Sequence, residues 1–418
     1  MIGSMSTTVK HYFGGLKRSL KDPFFKNSFF IMANKGLGVA AGFFFWAIAA
    51  RLYSVNDVGN AVVLISAASL ILAFSSMGFD ISLLRYFHHY DKSKAFNTSM
   101  VVMVSTALVL GLLYVATAPY ISPDIAGLLD WQYILIFLVF VGTGAAGAVA
   151  TQTFIAMRDA KYTFIQNLLY LTRLPLLFLL AALGFFGIFS ANVLSYIVAF
   201  IFVAWILQKV VRFDLRVDPE FIKTSFRTSS RNYVASILYN AAYLSVPLII
   251  SAQLGEAQAA IYYIAYTLGN FLLQIPISLS TSFFVEGVYG ESLKKNFTRA
   301  ALTVYSILIP GAIFLFLFGP AIMGFFGPRY LEGLELMKLI VLASFPYTIY
   351  SLFIPVLNIR MNVNTIILLN AIIFVVLLGG TLLLIPTYGS SAFGYALIAT
   401  FIIVDIVILM LARRWKWI

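Results

Sequence analysis

Two basic side chains, Lys35 and Arg173, stand inside long apolar stretches. A charge in hydrocarbon costs ~2.5–3.5 kcal/mol on insertion scales, so each calls for an anionic partner or a wet cavity. Lys35 is flanked by Asn34 and Gly36, and Arg173 closes a polar line of Gln166, Tyr170 and Arg173 at i, i+4, i+7 spacing. With a rise of 1.5 Å per residue, Lys35 lies about 12 Å and Arg173 about 16 Å into their helices. Such cations suit anion binding. The structural alternatives are that Lys35 reaches back to the membrane surface and that Arg173 bonds a carbonyl or Asp80. Asp80 and Arg85, in GFDISLLRYF, could pair with each other or Asp80 with Lys35, while Asp405 is the acidic residue deep in the second half. Asp80 and Asp405 are the candidates for ion coupling, with a buried hydrogen bond as the alternative for Asp405.

Neutral polar groups mark the second half. Tyr239, Asn240 and Tyr243 cluster on one stretch, and Tyr266, Asn270 and Gln274 repeat every fourth residue on the next. Rings and amides of this kind can stack on and hydrogen-bond sugars, or join helices. A cationic first half facing a polar, aromatic second half suits a ligand that carries an anion and many hydroxyls.

Other chemistries lack their residues. The chain has no cysteine and three histidines, which argues against thiol chemistry, disulfides and a metal site. Neither G-x-x-x-x-G-K-[ST] nor H-E-x-x-H occurs, so ATP and zinc hydrolysis are unsupported. A membrane glycosyltransferase would need a loop rich in acidic groups, and the longest outer loop expected, 119–130, offers Asp124 and Asp130. The chain reads as a non-enzyme with no resident cofactor, coupled if at all to a proton or sodium gradient.

The elements that must position these groups are membrane spans. Of 418 residues, 61% are hydrophobic and 11% charged, with mean hydropathy +0.95, against about 25% charged in soluble proteins. At roughly 20 residues per crossing, the pattern predicts twelve helices: 27–51, 59–84, 97–118, 131–157, 162–185, 189–209, 229–253, 257–284, 298–320, 335–358, 363–385 and 391–412. Apart from Lys35 and Arg173 within spans, every Lys and Arg except Arg51, Arg329 and Lys338 falls on one side. The positive-inside rule then places both termini in the cytoplasm and the protein in the inner membrane. The net charge of +12 describes a rim facing anionic lipid rather than nucleic acid. Trp46, Trp131, Trp205, Trp415 and Trp417 fall near span ends, as an aromatic belt would. Residues 9–24 read as an amphipathic helix lying on the inner leaflet.

The basic linker 212–226 separates two blocks of six spans, giving segments 1–25, 26–211, 212–226, 227–412 and 413–418. A shift of about 205 residues lays Lys26-Asn27 on Arg231-Asn232, and six crossings give both halves the same orientation, with the substrate site expected between them. Pro175, Pro247, Pro276, Pro310, Pro346 and Pro355 interrupt spans and could serve as hinges. Gly142, Gly144, Ala145, Ala146, Gly147 and Ala148 allow close packing inside the first half.

The chain resembles the polysaccharide-lipid flippases of the multidrug/oligosaccharidyl-lipid/polysaccharide exporter superfamily. The likeness lies in KNSFFIMANKGLGVAAGFFFWAIAARLYSVNDVGNA, GFDISLLRYF, AMRDAKYTF, SILYNAAYLSVPLIISAQLGEAQAAIYYIAYTLGNF and FFGPRYLEGLELMKLIVLASFPY. It implies an all-α integral membrane protein of twelve transmembrane helices, two six-helix lobes forming a V around a cavity with alternating access. The cargo would be a polyprenyl-pyrophosphate-linked oligosaccharide carried to the outer leaflet for glycan assembly, with membrane lipids and the assembly enzymes of that pathway as partners. Lys35 and Arg173 would neutralise the pyrophosphate, and Arg85 and Arg231 would meet it at the inner mouth. Sugar would contact Asn34, Gln166, Tyr170, Tyr239, Asn240, Tyr243, Tyr266, Asn270 and Gln274. Lipid II flippases of the superfamily have two further helices, and its cation-coupled drug exporters commonly carry an acidic residue in the first helix, where this chain has Lys35. Drug export is the alternative.

Overall fold

A computed structural model describes residues 23–121, 130–288 and 293–415. The amphipathic segment expected over 9–24 lies almost wholly outside the described residues, as does half of the 413–418 tail. Among the described residues every regular element is helical. The first half comprises α1 (Pro23–Leu52), α2 (Val55–Ser75, continued by Phe79–Tyr86), α3 (Lys92–Ile121), α4 (Trp131–Ala156), α5 (Ala160–Leu169, then Arg173–Leu179) and α6 (Phe185–Leu207). The second comprises α7 (Pro219–Leu244, then Val246–Leu254), α8 (Glu256–Val288), α9 (Leu293–Phe326), α10 (Leu334–Ile359), α11 (Val363–Tyr388) and α12 (Ala392–Arg414).

Nine stretches of the described residues are long and apolar enough to cross a membrane. One of these, Val363–Arg414, holds both α11 and α12, and the shorter apolar Gly36–Leu52 is most of α1. The remaining crossing, α5, is interrupted by the 3-10 turn Tyr170–Thr172. The twelve helices thus follow the hydropathy reading, with three differences. α2 breaks where Met77 and Gly78 take positive φ (44° and 81°), at the Ser75-Ser76-Met77-Gly78 stretch that the hydropathy reading carries through as one span. Of the six span prolines, only Pro175 and Pro247 lie beside breaks; the other four stay inside continuous helices. The irregular linker ends at Asp218 rather than 226, because the Asp218 carboxylate accepts from the Glu220 and Phe221 amides and Pro219 fits the first helical position.

Capping also ties separate helices together. The Ser54 hydroxyl accepts from the Asp57 amide at 3.1 Å and donates to the Asp57 carboxylate. The other oxygen of that carboxylate accepts from the Phe185 amide at 2.9 Å. Ser54 thus satisfies an orphan donor at the start of α2 and Asp57 one at the start of α6, and the bond between the two side chains links these starts.

The halves meet along α2. At the end of the bundle carrying Arg51, Gly59 lies so close to Glu256 that a Cβ would stand 1.9 Å from its carbonyl oxygen. There α1 also touches α9: the Arg51 Nε donates to the Phe325 carbonyl and its guanidinium lies 5.1 Å from the Phe325 ring centre. At the Arg231 end, Ser82 and Ser229 share a hydrogen bond of 2.7 Å, and the Tyr233 hydroxyl donates to the Phe74 carbonyl at 2.8 Å. A large buried cluster runs through both halves, and a smaller one, containing Phe79, Phe96, Phe154 and Phe221, sits at the Arg231 end. In lipid such contacts stabilise by close packing, since the tails are as apolar as the side chains. Exposed Leu113, Leu317, Leu383 and Met410 are lipid-facing positions in this setting, not liabilities.

Candidate functional site

The polar groups of the second half converge. α7 contributes Tyr239, Asn240 and Tyr243, α8 contributes Tyr266, Asn270 and Gln274, and α10 contributes Tyr347, around a cavity of about 220 Å³. Leu244, Leu273 and Ile277 complete the wall. That volume is below the roughly 300–1,000 Å³ of drug-sized pockets, so it admits one ring or two of a larger molecule.

Helical spacing explains the assembly. Tyr239 and Tyr243, one turn apart, share a face of α7 with ring centres 5.0 Å apart, while Tyr266, Asn270 and Gln274 form a ladder on α8. The rings are held from behind. The Tyr239 and Tyr347 hydroxyls lie 3.3 Å apart, Tyr350 stacks on Tyr239 at 6.1 Å, and Phe393 meets the Tyr266 ring edge-on at 5.9 Å. Tyr350 donates to Asn370 at 2.6 Å, and Asn370 donates to the Ala235 carbonyl at 2.8 Å, so α7, α10 and α11 are locked by one buried chain of bonds. Among the described residues the side-chain amides of Asn270 and Gln274 take no internal partner, and Asn240 donates only to Ser236 on its own helix. Rigid aromatic faces beside unspent amides form a surface able to stack on and hydrogen-bond a polyhydroxylated ring.

Tyr347, Tyr350 and Phe393 were missed in the sequence. The available signal was the i, i+3 tyrosine pair in FPYTIYS, between two prolines of one span.

The first-half candidates do not join this cavity. Gln166 is fully buried: it donates to the Gly147 carbonyl at 3.2 Å and to the Tyr170 hydroxyl at 2.9 Å, and accepts from Thr151 at 3.1 Å. Tyr170 stacks on Tyr196 at 4.4 Å. A Cβ at residue 147 would stand 3.0 Å from the Tyr170 hydroxyl and 3.3 Å from the Gln166 amide, so Gly147 is what admits these groups to α4. Gln166 and Tyr170 therefore do not line the cavity as expected; a polar line defines a helix face but not the neighbour it meets. Asn34 likewise accepts a hydrogen bond from Asn167 across the α1–α5 contact.

Arg173 is held inside the first half. It donates to Asn192 at 3.2 Å and its guanidinium lies 4.8 Å from the centre of the Phe45 ring, while its Nε is buried without a partner among the described residues. Among the described residues no carboxylate lies within ion-pair distance, so the structural alternative of a bond to Asp80 is not realised. Cation–π attraction of ~0.5–2 kcal/mol leaves the charge formally uncompensated. The neighbouring Trp46 packs on Tyr263 of α8 at 4.8 Å, which sets Arg173 one residue layer behind the seam between halves. The side chain of Lys35 lies outside the described residues.

Arg85 and Arg231 are exposed near the Arg231 end, with no ion pair among the described residues, so Arg85 does not pair with Asp80. Arg231 stands twelve residues into α7 rather than at its start. Asp80 and Asp405 each keep one buried carboxylate oxygen without a partner among the described residues; these oxygens belong to different halves.

Residues 24–284 match a family model described as polysaccharide biosynthesis protein. No curated protein matches the chain. Among solved structures, a lipid II flippase, MurJ, in an inward closed conformation aligns with TM-score 0.75 at 14% identity, covering 93% of this chain and 87% of that one. An inward-facing multidrug resistance MATE family transporter of the MOP superfamily gives 0.68 at 15% identity, covering 90% and 93%. An outward-facing transporter of that family gives 0.61 at 16%, covering 94% and 95%.

Proposed function

The chain belongs to the polysaccharide biosynthesis protein family, and from that premise we propose that this multi-pass membrane protein is a flippase for a polyprenyl-pyrophosphate-linked oligosaccharide. The observation that carries the reading is the cavity of tyrosine rings and unspent amides between α7, α8 and α10, a surface suited to sugar. With both termini in the cytoplasm of an inner-membrane protein, the Arg231 end faces inward. Arg85 and Arg231 attract the pyrophosphate there, Lys35 and Arg173 neutralise it at depth, and the sugars cross against the second half while the polyprenyl chain stays in lipid. The two halves, 26–211 and 227–412, rock about α2 to alternate access. Contacts between α1 and α9 at the Arg51 end hold the opposite mouth shut in the present state. Asp80 and Asp405 are the groups through which a proton or sodium gradient would couple.

The MATE likeness together with the aromatic cavity favours one second reading, export of cationic drugs, because tyrosine faces also attract cations. Reconstituted protein separates the two: a polyprenyl-pyrophosphate glycan is expected to bind and move in preference to cationic dyes, and the reverse preference overturns the flippase. Lys35→Ala and Arg173→Ala should each impair glycan-lipid export at normal protein levels. Unimpaired export in both would mean that these cations are structural.

A further inference from the structure

The first half carries a second opening that shares no lining residue with the tyrosine cavity. It is a groove of about 800 Å³ between α3, α4 and α6, walled by side chains such as Met100, Leu108, Leu138 and Phe200. Its two hydroxyl-bearing residues, Ser105 and Thr143, donate to carbonyls of their own helices at 2.6 Å, so neither offers its proton to a ligand. These helices have the apolar length of membrane spans, and what enters such a groove from a bilayer is hydrocarbon.

One end of the groove is closed by Phe96, Phe213 and Leu215. Their chain neighbours Lys94, Arg212 and Arg216 turn the other way, into a polar pocket of about 390 Å³ that also includes Asp214 and Asp218. Lys94 pairs with Asp218 at 3.5 Å and Arg216 with Asp214 at 3.4 Å, and Arg212 has no carboxylate within ion-pair distance among the described residues. The pocket therefore keeps one uncompensated positive charge. The Arg212 backbone is pinned to α3, its amide donating to Ser93 at 3.0 Å and its carbonyl accepting from Asn97 at 2.7 Å. An apolar channel at membrane depth thus ends at a fixed, net-cationic mouth.

We propose that this groove binds an anionic glycerophospholipid, its acyl chains along α3, α4 and α6 and its phosphate at Arg212, with Lys94 and Arg216 beside it. Basic pockets at span ends recognise lipid phosphates in this way. The site is independent of the cargo, because it lies on the outer flank of the first half.

The full-length protein, purified from a membrane containing phosphatidylglycerol and phosphatidylcholine of matched chains, tests it by native mass spectrometry of the retained lipid. The wild type should retain phosphatidylglycerol with a preference of about tenfold. Replacing Arg212→Ala with Arg216→Ala, both exposed, should remove the preference while leaving lipid bound. Gly142→Leu should lower retention of both lipids: a Cβ there meets only Leu108 at 3.5 Å, so the new side chain enters the groove without displacing backbone. Equal retention of the two lipids by the wild type, a preference that survives the double arginine replacement, or unchanged retention in a well-folded Gly142→Leu protein each overturns the assignment. So does a polyprenyl phosphate that outcompetes phosphatidylglycerol.

Discussion

Gln166 with Tyr170 in the first half, and Asn270 with Gln274 in the second, are neutral polar pairs at the same helical spacing, yet they end in opposite situations. The first pair spends its hydrogen bonds on Gly147 and Thr151 inside a sealed helix contact. The second keeps its amides unspent on the wall of a cavity. A glycine on the facing helix decides the difference, because it lets α4 come within bonding range of α5, while α7 and α10 meet α8 with tyrosines that prop the space open. Polar residues in membrane spans thus divide into glue and lining according to what the opposite helix presents.

The largest effect is expected at the seam on which any motion depends. Gly59→Val would drive a side chain into the Glu256 carbonyl and part the halves at the Arg51 end. Because the chain has no cysteine, Arg51→Cys with Phe325→Cys reports on that end directly. Cross-linking should be efficient in the otherwise unaltered protein and fall at least tenfold with Gly59→Val. Efficient cross-linking in both would mean that the close approach of Gly59 to Glu256 does not hold this mouth closed.

The comparison between the two polar pairs is tested next. Asn270→Leu with Gln274→Leu removes two potential sugar hydrogen bonds of ~1 kcal/mol each, so glycan-lipid binding should weaken about tenfold or more with little change in melting temperature. Gln166→Leu should do the reverse, leaving Tyr170 and Thr151 without their partner at a cost of ~1–3 kcal/mol while the folded fraction binds normally. If Gln166→Leu abolishes binding without loss of stability, the pair belongs to the lining after all.

The smallest effect concerns the strap between the halves. Burial raises the Asp218 carboxyl, but the Phe221 and Glu220 amides, Tyr90 and Lys94 together outweigh it and hold the group below its ordinary 3.8. A depressed carboxylate contributes stability above that value and loses it as pH falls through the lower folded value. Protection of the first-turn amides of α7 against hydrogen exchange, taken relative to the intrinsic rate at each pH, should therefore fall below about pH 4 in the wild type, and Asp218→Ala should show the lower protection already at neutral pH. Protection that does not change with pH would remove the cap from the account.

Much of this was legible in order of residues alone. Run length and charge gave the twelve spans, because hydrocarbon thickness sets both. The ladder Tyr266, Asn270, Gln274 and the cluster Tyr239, Asn240, Tyr243 pointed to each other because spacing fixes a helix face. What remained hidden depends on the partner face: Gln166 enclosed by α4, Arg173 bonded to Asn192, and Tyr347 completing the cavity from a helix far along the chain. The break in α2 was missed as well: Gly78 marks it, but a window long enough to find a span averages over a single glycine.

Asp57 carries a consequence for how the protein works as a machine. Its carboxylate accepts from Ser54, the cap of α2, and from the Phe185 amide that opens α6, so two helix starts of the first half are braced against each other. These starts are expected to travel together, and a lesion at this one acid should let them part.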